Sequence, residues 1–166
     1  MRRSSRLVGS RIPAVSDLRG PIKSLKAALT VFEKDLEATP EPAYEDSIGG
    51  KARTVSDIAY EVALVNDHIG LKLRGEPLFD WPEGWVTAPE HLRAKGACIA
   101  SFKESAARIL QTVEGWSDED LSVKLTTEHG ETDRAERCRF MALHLWYHSG
   151  QINYIQTLLG DDDWHW

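Results

Sequence analysis

From Phe140 to Ile155 the chain is committed to one long amphipathic helix. Met141, Leu145, Ile152, Ile155 and, just beyond, Leu159 recur at spacings of three, four and seven, the repeat of a single inward face. His144 and His148 fall on or beside that face. Residues four apart on a helix hold their β-carbons about 5–6 Å apart, so two imidazoles there can converge on one ion. The same pair can instead bond core hydroxyls or carbonyls, because a buried imidazole needs a partner of one kind or the other. No glutamate of an H-E-x-x-H pattern stands between them to decide the matter.

Three more segments carry the helical repeat. Ile22, Leu25, Leu29, Phe32 and Leu36 form a stripe on a helix predicted from Pro21 to about Ala38, with proline at its first position and Thr39-Pro40-Glu41-Pro42 as its stop. Val55, Ile58, Val62, Val65 and Ile69 mark a second, opened by the capping-box pattern Thr54-Val55-Ser56-Asp57 and closed by Gly75. Leu92, Ile99, Phe102, Ala106, Ile109 and Val113 mark a third, with Thr87-Ala88-Pro89-Glu90 as its predicted start and Gly115 as its stop. The fourth opens near Thr132 or Asp133, with Glu136 placed to complete a cap, and ends at Gly160. Four such segments joined by polar connections specify an all-α chain, a four-helix bundle. The 166 residues fit one domain with a core of its own.

Two connections are unusual. Between the second and third helices a long crossover, Glu76 to Ala88, carries Phe79, Trp81 and Trp85. These rings can cap the bundle end, meet a second subunit, or form a lid over a pocket. Before the fourth helix Leu121, Val123 and Leu125 alternate with polar residues and His129-Gly130 reads as a turn, which predicts a small extended excursion. At the far end, Trp164 and Trp166 read as anchors folding back on the bundle.

Charge and composition remove other classes. A net charge of -6 argues against a nucleic-acid partner. No stretch approaches the roughly 20 apolar residues of a membrane span. Arg2, Arg3, Arg6 and Arg11 lie in a basic, weakly ordered arm that extends to about Val15, and no apolar run of signal-peptide length follows, so the expected location is the cytoplasm. Cys98 and Cys138 sit inside predicted helices and read as small core residues.

Sites in bundles are built from inward side chains on facing helices. If His144 and His148 supply two ligands, a third must come from another helix. Glu61 is the first candidate: it lies three residues from Ile58 and next to Val62, at the margin of the core stripe, where a charge is costly unless something offsets it. His68, seven residues on, is the second. A carboxylate with two imidazoles suits catalytic zinc or, as a facial triad, iron, and three protein ligands leave a position open.

The run His144-Leu145-Trp146-Tyr147-His148-Ser149-Gly150-Gln151, together with Thr54 to Val62 upstream, resembles the DinB/YfiT-like metalloenzymes. The resemblance covers nearly the whole chain, and its most specific part is H-x-x-x-H-x-G-Q. It implies a bundle with a long crossover, a small-molecule substrate, a homodimer, and a divalent metal, nickel or zinc, held by one histidine of the second helix and two of the fourth. Here the position of the first histidine is Glu61, which can hold the same ion. His68 lies about 10 Å further along the helix and cannot replace it without moving the site. Carried over, the resemblance makes Glu61, His144 and His148 the ligands, with Gln151 and His68 as candidates to orient them from behind. Some members are thiol-dependent transferases or isomerases, in which the metal deprotonates a low-molecular-weight thiol. A carboxylate ligand lowers the positive charge on the ion, which weakens thiol activation and leaves metal-dependent hydrolysis as the competing chemistry. A non-catalytic bundle serving association is the reading from another class.

Overall fold

A computed structural model of the chain describes residues 20–127 and 130–165. The basic arm up to residue 15, the His129 turn and Trp166 lie outside the described residues. In chain order the elements are α1 (Pro21–Ala38), the short α2 (Pro42–Glu45), α3 (Val55–Arg74), α4 (Lys95–Val113), the short α5 (Asp118–Leu121), strands β1 (Lys124–Thr127) and β2 (Gly130–Asp133), and α6 (Arg134–Leu158). The long helices α1, α3, α4 and α6 are the four the apolar stripes require. Leu25, Leu29, Phe32 and Leu36 of α1, Ile58, Val62 and Ile69 of α3, Phe102, Ile109 and Val113 of α4, and Met141, Leu145, Ile152 and Ile155 of α6 are all buried in one core. The chain is an all-α four-helix bundle with a long crossover between α3 and α4 and a two-stranded excursion before α6.

Packing is uneven around the bundle. α6 lies along α1 and α3 lies along α4, while α3 meets α6 over a narrower front. Phe32 and Phe102, both fully buried, join the two pairs, with ring centroids 5.0 Å apart and planes tilted by 57°. The narrow α3 to α6 front leaves room for a site between them.

Capping explains the element ends. Thr54 Oγ1 accepts the Asp57 amide at 3.2 Å to start α3, and Gly75, at φ 70°, ends it in the left-handed region that favours glycine. Asp57 does not return a bond to Thr54. Its carboxylate accepts the Ala88 amide at 2.7 Å and pins the far end of the crossover to the start of α3. The expected start of the third long helix at residues 87–90 is therefore displaced. The Ala88 amide is taken by Asp57 and its carbonyl by Arg93 at 3.1 Å, so Glu90–Leu92 forms only a 3-10 turn and α4 begins at Lys95. At α6 the Asp133 carboxylate accepts the Glu136 amide at 2.8 Å, while Glu136 itself takes the Thr132 hydroxyl.

Two apolar expectations fail at the C-terminal end. Leu159 follows the last turn of α6 and is about half exposed, and Trp164 is an exposed ring, not an anchor, in a tail held by His165 on Asp161 at 2.9 Å. Cys98 and Cys138 are buried, and burial pushes their thiols up to about 12 and about 11 respectively, as suits core residues. Among the described residues no helix is long and apolar enough to cross a membrane.

Candidate metal centre

Glu61 stands about two turns into α3, and His144 and His148 occupy successive turns of α6. Across the narrow front between these helices, Glu61 Oε1 lies 3.6 Å from His144 Nε2 and 3.7 Å from His148 Nε2, and the two Nε2 atoms are 3.1 Å apart. A triangle with these sides has its centre about 2 Å from every corner, which is the bond length zinc makes to imidazole nitrogen and carboxylate oxygen, roughly 2.0–2.2 Å. The donor set therefore fits a divalent ion without rearrangement. Among the described residues it is the one group of three histidine, cysteine or acidic side chains close enough to share an ion.

The protonation states also fit. Hydrogen bonds from His144 and His148, followed by the Arg53 guanidinium, hold the Glu61 carboxyl far below the usual carboxylate range against the opposing effect of burial. Burial pushes the His144 imidazole down, toward its neutral form. An anionic carboxylate and a neutral imidazole are the states a metal needs.

His148 is oriented from behind. Its Nδ1 lies 2.8 Å from Gln151 Oε1, and since a carbonyl oxygen only accepts, Nδ1 carries a proton, which makes Nε2 the atom that would give its lone pair to an ion. The Gln151 amide nitrogen in turn donates to the Tyr147 hydroxyl at 3.1 Å. His68 is placed differently. Its ring packs edge-on against Phe79 and Trp81 of the crossover, with centroids 5.0 and 5.7 Å away, and it stands apart from the three-donor group.

Sequence reasoning misses Arg53. Its Nη1 forms an ion pair with Glu61 Oε2, and its Nη2 donates to the carbonyls of Asp57 at 2.7 Å and Val86 at 3.2 Å. The guanidinium also faces the ring of Trp85 at 5.5 Å. Arg53 thus occupies one carboxylate oxygen and leaves Oε1 as the one aimed at the imidazoles. Its positive charge beside Glu61 offsets part of the negative charge that the carboxylate brings to the donor set. One signal could have found it. A cation directly before the cap of α3 faces the positive end of the helix dipole, an unfavourable place unless an acid answers it.

The family model described as the DinB superfamily matches residues 23–152. No curated protein matches the chain in sequence. Among solved structures the chain is similar to a DinB-like protein from Bacillus cereus, with a TM-score of 0.62 and 14% identity over 83% of this chain and 91% of that one. It is also similar to the mycothiol-dependent maleylpyruvate isomerase, in wild-type and mutant form, with a TM-score of 0.55 and 13% identity over 80% of this chain. The second likeness spans 59% of the isomerase chain. At these identities both likenesses speak for the fold.

Proposed function

We propose that this chain, which belongs to the DinB superfamily, is a cytoplasmic divalent-metal enzyme acting on a small molecule, its whole length forming one DinB-like domain. Thiol-dependent transfer or isomerisation is the reaction it would carry. The observation behind this reading is the Glu61, His144 and His148 triangle, sized for an ion and made of one anionic and two imidazole donors. Those three residues would hold nickel or zinc, with iron as the facial-triad option. When bound, the ion would act as a Lewis acid that makes a thiolate or hydroxide available near neutral pH.

The chain's own residues prepare that site. Arg53 fixes Glu61 with one oxygen inward, and Gln151 fixes the tautomer and ring plane of His148. The thiol reading also draws support from the isomerase, whose own thiol is mycothiol. Metal-dependent hydrolysis is the alternative at the same residues. The deciding experiment compares tag-free protein stripped by chelator with the same protein reloaded with zinc or nickel, using cysteine with 1-chloro-2,4-dinitrobenzene for conjugation and 4-nitrophenyl acetate for hydrolysis. Conjugation is expected to fall by about 100-fold or more on stripping and to return on reloading. Return of ester hydrolysis without conjugation would move the assignment to the hydrolase, and return of neither would leave the association reading.

The homodimer belongs to the same proposal. Leu143, Tyr147, Tyr154 and Leu158, each more than half exposed, follow one another at spacings of four, seven and four along the outer side of α6, with Gly150 between them. A second copy of this chain would cover that stripe through a two-fold contact of α6 with α6. Leu143→Lys combined with Tyr154→Lys is expected to convert a dimer to a monomer in sedimentation velocity, with the melting of the bundle itself little changed.

A further inference from the structure

Beside the metal centre lies a cleft of about 300 Å³ whose groups the reading above does not use. Val65, His68 and Lys72 of α3, Arg137 and Phe140 of α6, and Trp81 of the crossover line it. Val65 is four residues beyond Glu61 and Phe140 four before His144, so its near wall is one helical turn, about 5.4 Å, from the donors on both helices. The Phe140 ring stacks on the His144 ring with centroids 6.2 Å apart and planes 22° from parallel, so one side chain borders both cleft and centre.

The electrostatics of the cleft are one-sided. Among the described residues neither Lys72 nor Arg137 has an acidic partner, so both charges stand uncompensated beside the cleft. Arg137 Nε, like that of Arg53 and Arg134, is buried without a hydrogen-bond partner, but only the Arg137 guanidinium borders the cleft, over the Phe140 ring at 5.3 Å. A buried donor without an acceptor is rare because the lost bond to water is not replaced. In a chain of net charge -6, an ammonium from α3 and a guanidinium from α6 facing one cleft, with no carboxylate among the described residues that line it, form a socket for an anion.

We propose that this cleft binds the carboxylate of a small substrate, with the Arg137 fork as its main contact and Lys72 as a second charge. Trp81 and Phe140 flank the part of the molecule that runs toward the metal centre. A guanidinium matches a carboxylate with two parallel hydrogen bonds, and the aromatic walls favour a flat, unsaturated or aromatic body. The role as substrate site rests on the metal-enzyme reading, but the binding itself needs no ion. The carboxylate can belong to the electrophile or to the thiol.

Calorimetric titration of the full chain, both chelator-treated and zinc-loaded, tests this with cinnamate against cinnamamide and N-acetylcysteine against its amide. Wild type is expected to prefer the acid by about tenfold in at least one pair, and the preference to shrink below about twofold in Arg137→Gln combined with Lys72→Gln. Arg137→Lys keeps the charge without the fork and is expected to fall between, while Arg108→Gln, whose partner is Asp67, changes nothing. Preference within the cinnamate pair assigns the socket to the electrophile, and within the cysteine pair to the thiol. Equal binding of acid and amide by wild type, or a preference that survives the double substitution in folded protein, overturns the proposal. If wild-type protein takes up no zinc yet keeps the preference, the metal-enzyme reading falls and the cleft stands.

Discussion

Alanine at position 148 is expected to empty the metal centre. His148 is almost wholly buried, and both of its ring nitrogens are engaged, Nδ1 on Gln151 and Nε2 among the donors. His148→Ala leaves Glu61 and His144 as a two-donor remnant, and elemental analysis of tag-free protein should fall from near one ion per chain to less than about a tenth. Gln151→Leu makes the contrast informative. It keeps all three donors but frees Nδ1, so stoichiometric binding should survive at saturating metal while affinity drops about 10–100-fold in calorimetry. A wild-type protein that carries less than a tenth of an ion, unchanged by His148→Ala, would show Glu61 answering Arg53 and the imidazoles alone, and the enzyme proposal would fall.

Much of the fold was legible because burial follows the helical repeat. The stripes from Leu25 to Leu36 and from Ile58 to Ile69 mark inward faces that the structure buries. The ends of α3 were legible too, since Thr54 and Gly75 act within a few residues of themselves. The start of α4 was not. Asp57 spends its carboxylate on the Ala88 amide, 31 residues away, and no local capping pattern records such a contact.

The site divides along the same line. Glu61 could be singled out because a charge at the edge of an apolar stripe demands a partner. Gln151 was visible one turn beyond His148. Arg53 was not, because it precedes the helix and reaches Glu61 by folding back over the first turn, outside any periodicity. The outer stripe of α6 also escaped notice: attention to the inward set beginning at Met141 hides a second apolar line, Leu143, Tyr147, Tyr154 and Leu158, on the opposite side of the same helix.

Phe102→Ala is expected to be the most damaging change in the core. Phe102 of α4 meets Phe32 of α1 where the α3 and α4 pair closes on the α1 and α6 pair. Loss of a buried phenyl ring costs about 3–5 kcal/mol, a large share of the 5–15 kcal/mol by which domains are ordinarily stable. The consequence reaches the metal centre, because Glu61 rides on one helix pair and the two histidines on the other. An ion bound only by the native state pulls the pairs together again, restoring about 2.7 kcal/mol at a free concentration of 100 Kd. Denaturant titrations with chelator and with excess zinc should therefore show a large loss for Phe102→Ala in chelator and a partial recovery in zinc that His148→Ala abolishes. The recovery should fall short of the wild-type gain at equal zinc, since loosened pairs present the donors less often and weaken the apparent affinity. A loss under about 1 kcal/mol would place the junction of the two pairs elsewhere, and an undiminished zinc gain would mean that the centre does not depend on how the pairs are packed.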